Sequence, residues 1–376
     1  TSIFPMTDAV PTRYALVGVS GRSRMYTEAI LGPYAPSTRL VALLDRNPER
    51  IKYFNTKHGL SIPAFEGDEF HRMIAESKPD AVIICTSDGT HADYLVQAME
   101  AGIKAVCEKP IAVDESQIQS ILEAESRSPA AITICHNYRY NPVMTLLRER
   151  ILRGDIGRPT QVDFNYYLDT FHGASYFKRW NRYEKDGGSL LVTKACHHFD
   201  LVNWLTGLRP LEVFARGRLN YYGPDGPANP SKKEGRRCST CEERCRYFTY
   251  YAEKGDSYLE SLININNPGK NDSFARGDGY FADRCIFDSD IDTWDTFSLS
   301  ALYENGLLLT YSLNASLPYE GFRLDINGTD GRLEAKDFHG LQRLPFPPPE
   351  PEIRFLPLFG PMEVIPAPRL EGGHGG

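Results

Sequence analysis

The chain has 376 residues, more than one ordinary domain, and its 41% hydrophobic and 24% charged content is the balance of a globular protein with a proper core. A net charge of −7 argues against a nucleic-acid surface, and no apolar run approaches the roughly 20 residues a membrane span needs. The opening TSIFPMTDAV lacks the basic end and long apolar run of a secretion signal, and Cys85, Cys107, Cys135 and Cys196 sit in apolar runs like buried thiols, so a reducing cytoplasm is expected.

Residues 13 to about 136 alternate apolar with amphipathic runs. RYALVG (13–18) precedes a helical stretch near 22–31, and RLVALLD (39–45) precedes NPERIKYFNTKHG. DAVIICT (80–86) precedes THADYLVQAMEAG, KAVCEKP (104–110) precedes DESQIQSILEAE, and AITICHNYR (131–139) follows. Strand and helix repeated in this way predict a doubly wound parallel sheet with helices on both faces, of the Rossmann kind, spanning 1–137. Ligands of such a sheet bind beyond the carboxyl ends of its strands, which is where Lys109 falls.

After residue 140 the pattern changes. A helix near 141–153 ends at Gly154, TQVDFNYYL (160–168) alternates like a strand, and 188–206 reads as one helix. Four later runs from LEVFARGRLNYYG to EGFRLDINGTDGRLEA predict antiparallel strands, with turns at Asn305-Gly306 and Asp330-Gly331. The second domain, 138–344, is therefore expected to be α+β with a mostly antiparallel sheet. It carries a polar, tyrosine-rich insertion at 223–296, and 345–376 reads as a Pro/Gly-rich tail lying over the surface.

GVSGRSR (18–24) occupies the first strand–helix junction, where a dinucleotide fingerprint belongs. Gly18 is in place, Ser20 and Ser23 stand where G-x-G-x-x-G has glycines, and Gly21 and Arg22 complete the turn. Serine is small enough to admit a pyrophosphate, and its hydroxyl can donate to it. A tight structural turn is the alternative. Asp45 ends the second strand, where a carboxylate can hold both hydroxyls of the adenosine ribose and repel a 2′-phosphate, so NAD is favoured over NADP. Arg46 pulls the other way, since a guanidinium can stack on adenine or pair with a phosphate.

In GGSLLVTKACHHFDLVNWLTG (187–207), Lys194, His197 and Asp200 are spaced by three and can share one helix face. A packed helix with one satisfied histidine is the alternative. Oxidising a secondary alcohol needs a hydride acceptor and a base for the hydroxyl proton. Histidine suits the base, and a lysine can stabilise the developing charge or relay the proton. Lys109 at a strand end fits such a site, unless it merely pairs with a carboxylate such as Glu108.

The motifs together resemble the Gfo/Idh/MocA oxidoreductase family: the glycine turn at 18–24, DRNPER (45–50), TSDGTH (86–91), EKP (108–110), HNYRYNP (136–142) and GGSLLVTKACHHFD (187–200). The resemblance implies a Rossmann domain followed by an α/β domain whose large open sheet commonly forms a homodimer or homotetramer interface. It also implies catalytic roles for Lys109 and His197, and a nicotinamide-side place for Thr86, Ser87, His91, Glu108 and Asn137. Tyr138, Arg139, Trp180 and Asp200 would serve a small-molecule sugar or cyclitol. Where many members carry Asp, four positions before the catalytic histidine, this chain has Thr193, with Lys194 beside it; it is similar to a subgroup with a K-x-x-H-H-F-D helix. Three functions compete: a dehydrogenase, a redox-neutral NAD-dependent glycosidase or lyase, and a non-catalytic NAD-binding sensor.

RRCSTCEERC places Cys238, Cys241 and Cys245 close together, with Cys285 about forty residues on. C-x-x-C can begin a zinc site that Cys285 would close, and reduced thiols or one disulfide are the alternatives.

Overall fold

A computed structural model describes residues 10–255, 278–347 and 350–366. The described residues form two compact units: 10–135 with 185–187 and 278–283, and the rest from His136 onward.

The first unit holds six strands, β1 (Thr12–Val17), β2 (Thr38–Leu44), β3 (Ala64–Phe65), β4 (Ala81–Ile84), β5 (Lys104–Cys107) and β6 (Ile132–Ile134). Helices α1 (Arg24–Leu31), α2 (Pro48–His58), α3 (Phe70–Ser77), α4 (His91–Glu100) and α5 (Glu115–Glu125) connect them. The strands run parallel in the order β3-β2-β1-β4-β5-β6. The order reverses between β1 and β4, and a crevice opens at such a switch point. Because side chains alternate along a strand, each strand feeds two cores. Ala15, Val17, Val82 and Ile84 pack with α3, α4 and α5, whereas Leu16, Leu43 and Ile83 pack with Ile30 of α1 and Ile51 and Phe54 of α2. Helix ends follow local chemistry: Asn47 caps α2 ahead of Pro48, Gly59 closes it with φ +62°, and Asp114 caps α5.

The second unit contains α6 (Pro142–Leu152), β7 (Pro159–Asp169), α7 (Thr170–Lys178), the turns α8 (Glu184–Gly187) and α9 (Leu190–Thr193), α10 (Cys196–Thr206), β8 (Pro210–Arg218) and α11 (Arg246–Ala252). Residues 185–187 of α8 cluster with the first unit. Then come β9 (Thr296–Tyr303), β10 (Leu308–Leu317), β11 (Glu320–Gly328), β12 (Gly331–His339), β13 (Glu352–Pro357) and β14 (Glu363–Pro366). One eight-stranded sheet results, β14-β13-β12-β11-β7-β10-β9-β8, antiparallel except where β7 meets β10. Inward residues such as Val162, Phe164, Leu313, Phe322 and Leu324 pack with Leu201, Val202 and Leu205 of α10. At the β9–β10 hairpin Asn305 and Gly306 both take positive φ (60° and 78°), the backbone an Asn-Gly turn favours.

Two expectations are corrected. The single helix over 188–206 is two segments, α9 and α10, interrupted at Lys194 and Ala195, so Lys194 caps one segment rather than continuing into the next. The tail is not all surface coil: residues 352–357 and 363–366 add two strands at this end of the sheet, because Ile353 and its neighbours find ladder partners on β12. The last ten residues of that tail and 256–277 of the insertion lie outside the described residues.

Candidate functional site

At the end of β1, Gly18 has φ +92°, and a Cβ there would stand 2.7 Å from the backbone of Cys85 and Thr86. Only glycine lets the β1 and β4 ends approach so closely. The two serine hydroxyls hydrogen-bond to backbone carbonyls. Ser20 Oγ donates to the Cys85 carbonyl (3.2 Å), while Ser23 Oγ donates to the Ser20 carbonyl (2.8 Å) and accepts from Ser20 N–H (3.2 Å). In this arrangement each hydroxyl donates to a backbone carbonyl, Ser20 to the β4 end and Ser23 to its own turn. What remains for an anion is the backbone of the Gly21–Ser23 turn leading into α1, whose first turn carries no acidic residue and no side-chain cap.

Asp45 is buried at the end of β2. Its Oδ2 accepts from Val19 N–H (2.7 Å) and its Oδ1 from Asn47 N–H (2.8 Å). A carboxylate has about four lone-pair sites, so each oxygen keeps capacity for a ribose hydroxyl. Burial raises the Asp45 pKa, partly countered by those backbone donors and by Arg50 and Arg46. Arg46 itself is exposed. The glycine approach, the uncapped helix start and the anchored carboxylate fit an adenine dinucleotide.

At the ends of β4 and β5, Thr86 accepts a hydrogen bond from Thr90 Oγ1 (2.8 Å), and the half-buried Ser87 follows it. The buried His91 ring braces the two strand ends, with Nδ1 2.7 Å from the Pro110 carbonyl and Nε2 3.2 Å from the Thr86 carbonyl. Glu108 pairs with Arg22 Nε (2.8 Å) and accepts from the Tyr26 hydroxyl (2.8 Å). Burial and the Glu108 charge push the Tyr26 phenol far up, so it stays a donor. Arg22 and Glu108 thus pair with each other. Glu108 Oε2 also accepts from the Lys109 backbone N–H at 3.4 Å. Lys109 is half-buried and precedes a cis peptide bond to Pro110.

In the second unit the buried His197 ring packs edge-on to His136 and Tyr138, each centroid 5.9 Å away. Its backbone N–H bonds to the Lys194 carbonyl (3.3 Å) across the helix break. Asp200 receives a bidentate pair from Arg139 (2.7 and 2.5 Å) and stands 3.9 Å from His136 Nδ1. Arg139 and Asp200 therefore satisfy each other before any sugar arrives. The Tyr138 ring lies in the core and its hydroxyl meets His339 Nε2 at 2.7 Å. Asn137 Oδ1 is buried without a hydrogen-bond partner among the described residues. Trp180 is half-buried at the start of a 3₁₀ turn.

The sequence reading missed the partner of Lys194. Glu320, at the start of β11, lies 3.8 Å from the Lys194 ammonium and binds His172 Nδ1 (2.9 Å), Arg343 Nη2 (3.2 Å) and the Tyr166 hydroxyl (3.1 Å). Arg343 also pairs with Asp169 (2.6 Å). The Lys194 ammonium sits 4.9 Å above the Tyr166 ring. Burial alone would raise the Glu320 pKa, but His172, Lys194 and His339 overcome it and hold the carboxylate well below its usual range. Nothing in the local sequence marks Glu320, since its partners come from segments scattered over more than 170 residues.

Fold and site together define a two-domain, dinucleotide-binding oxidoreductase. The chain belongs to the Gfo/Idh/MocA family: residues 12–136 match its NAD-binding Rossmann fold and 148–346 its C-terminal alpha/beta domain. YteT of Bacillus subtilis (strain 168), named as an oxidoreductase, is 42% identical over 365 residues, covering 96% of this chain and 85% of that protein. An inositol 2-dehydrogenase of Rhizobium meliloti (strain 1021) is 28% identical over 203 residues, 54% of this chain and 57% of the relative. Among solved structures, the WlbA dehydrogenase of Bordetella pertussis, in complex with NADH and UDP-GlcNAcA, shares the fold with a TM-score of 0.60 at 18% identity, over 88% of this chain and 75% of that one. Among the described residues no helix is long and apolar enough to cross a membrane.

Proposed function

We propose that the chain oxidises or reduces a secondary alcohol carbon of a sugar, glycoside or cyclitol with NAD, and that Lys109 and His197 handle the proton and the charge. The dinucleotide, when bound, supplies the hydride acceptor or donor. His197 is the observation that carries the reading: an imidazole shielded from water, oriented by two aromatic rings, one turn from a buried lysine. An imidazole so placed can exchange a proton with a substrate hydroxyl. Lys109 and His197 belong to different units, and their convergence on one ligand is part of the proposal. Asp45 supports NAD over NADP, because a buried carboxylate disfavours a 2′-phosphate. The inositol 2-dehydrogenase relative supports the substrate class. Exposed Leu211, Val213 and Phe214 on β8 support self-association through the sheet.

The test is a screen of the purified chain with NAD against free and glycosidic sugars and cyclitols, read at the reduced-nicotinamide absorbance. Net reduction of NAD with a member of this class, lost in Lys109→Ala, is the expected result. Product formed without an absorbance change would replace this reading with the redox-neutral lyase or glycosidase. Ligand binding without turnover, unaltered by Lys109→Ala and His197→Ala, would replace it with a sensor.

A further inference from the structure

Four of the eight cysteines, Cys238, Cys241, Cys245 and Cys285, border one small cavity in the long connection between β8 and β9. The connection has a single seven-residue helix, α11, among its described residues, so little regular structure holds it together. Backbone pairing delivers the distant cysteine. Arg237 forms an isolated antiparallel bridge with Arg284, and the Cys285 N–H donates to the Arg236 carbonyl at 2.8 Å.

From this arrangement we infer a structural zinc site of four thiolates. The cavity measures about 20 Å³, room for one water-sized occupant. Two sulfurs already accept backbone N–H groups, Cys245 from Phe248 and Cys285 from Phe287, each at 3.4 Å. Such donors favour sulfur that carries negative charge, as a metal-bound thiolate does. Four thiolates around Zn²⁺ leave a net charge of −2, and Arg236, Arg237 and Arg244, less Glu243, which pairs with Arg236 (3.7 Å), line the same cavity to offset it. None of the four sulfurs is in a disulfide. Among the described residues no three ligand side chains are drawn onto one point, so binding must turn the thiols inward to Zn–S distances of about 2.3 Å. The balance is plain: four thiols release four protons, one Zn²⁺ enters, and no electrons move.

The experiment measures metal in the full chain purified under reducing conditions without chelator. One zinc per chain is expected, falling to sub-stoichiometric levels in Cys245→Ser and Cys285→Ser, while Cys241→His, which keeps a ligand, retains it. Cobalt substitution should give the bands of a tetrahedral, thiolate-rich site. Should the serine variants fail to fold, titrating the native chain with a mercurial keeps the question open to an answer: zinc should appear in a chromophoric indicator as these thiols react. No zinc in the native chain and no uptake of added zinc would overturn the site. So would an iron–sulfur chromophore, or a disulfide among these cysteines found by mass spectrometry.

Discussion

Glu320 and Lys194 face each other at 3.8 Å with both side chains closed to solvent. A buried charge without its partner is costly, so Glu320→Gln should lower stability by about 3–5 kcal/mol, read as a shift in the urea midpoint at neutral pH. The carboxylate has a folded-state pKa below its unfolded one, so its stabilisation is complete above the unfolded value, near pH 4.3, and is lost as pH falls toward the folded value. The wild-type midpoint should therefore fall more steeply with acidification than that of Glu320→Gln. Parallel curves would refute this role.

His197→Asn should leave dinucleotide affinity unchanged and reduce turnover roughly a hundredfold to ten-thousandfold, the range for loss of a positioned acid/base. Calorimetry for binding and steady-state rates for turnover separate the two effects. Undiminished kcat at neutral pH would remove His197 from the chemistry.

Asp45→Asn keeps the volume but gives up the charge and half of the acceptor oxygens. Losing hydrogen bonds to a charged acceptor, each worth about 1.5–3 kcal/mol, should weaken NAD binding by roughly tenfold to a hundredfold and narrow the gap to NADP. An unchanged ratio of the two affinities would mean that the carboxylate serves only the Val19 and Asn47 amides.

Gly18→Ala combines a left-handed backbone with a Cβ 2.7 Å from the β4 end. Strain and overpacking together should cost about 2–4 kcal/mol. NAD affinity should fall as well, because the turn must shift. A thermal melt and a binding titration on the same sample check both, and wild-type values in either would contradict the packing described here.

Local pattern carried a great deal of this protein. Alternating apolar runs foretold β1, β4, β5 and their helices, and Gly18, Asp45 and Asn305-Gly306 declared themselves because a turn or strand end constrains its own residues. The candidate site was legible as a set of residues but not as a set of bonds. Glu108 holds Arg22 and Tyr26, and the Tyr138 hydroxyl meets His339, pairings between distant segments that no motif shows. The helix over 188–206 broke at Lys194, whose buried ammonium lies near Glu320, an interaction no helical periodicity encodes.

The sequence by itself determined the alternating order of the first unit, the strand-rich second unit and the residue types available for chemistry, because these follow from nearest neighbours along the chain. Tertiary structure alone decided which carboxylate meets which cation, which hydroxyl is spent on its own turn, and that Cys285 reaches the other three cysteines. Those outcomes depend on burial and on contacts between distant segments, where desolvation makes each polar group take whichever partner the fold brings within reach.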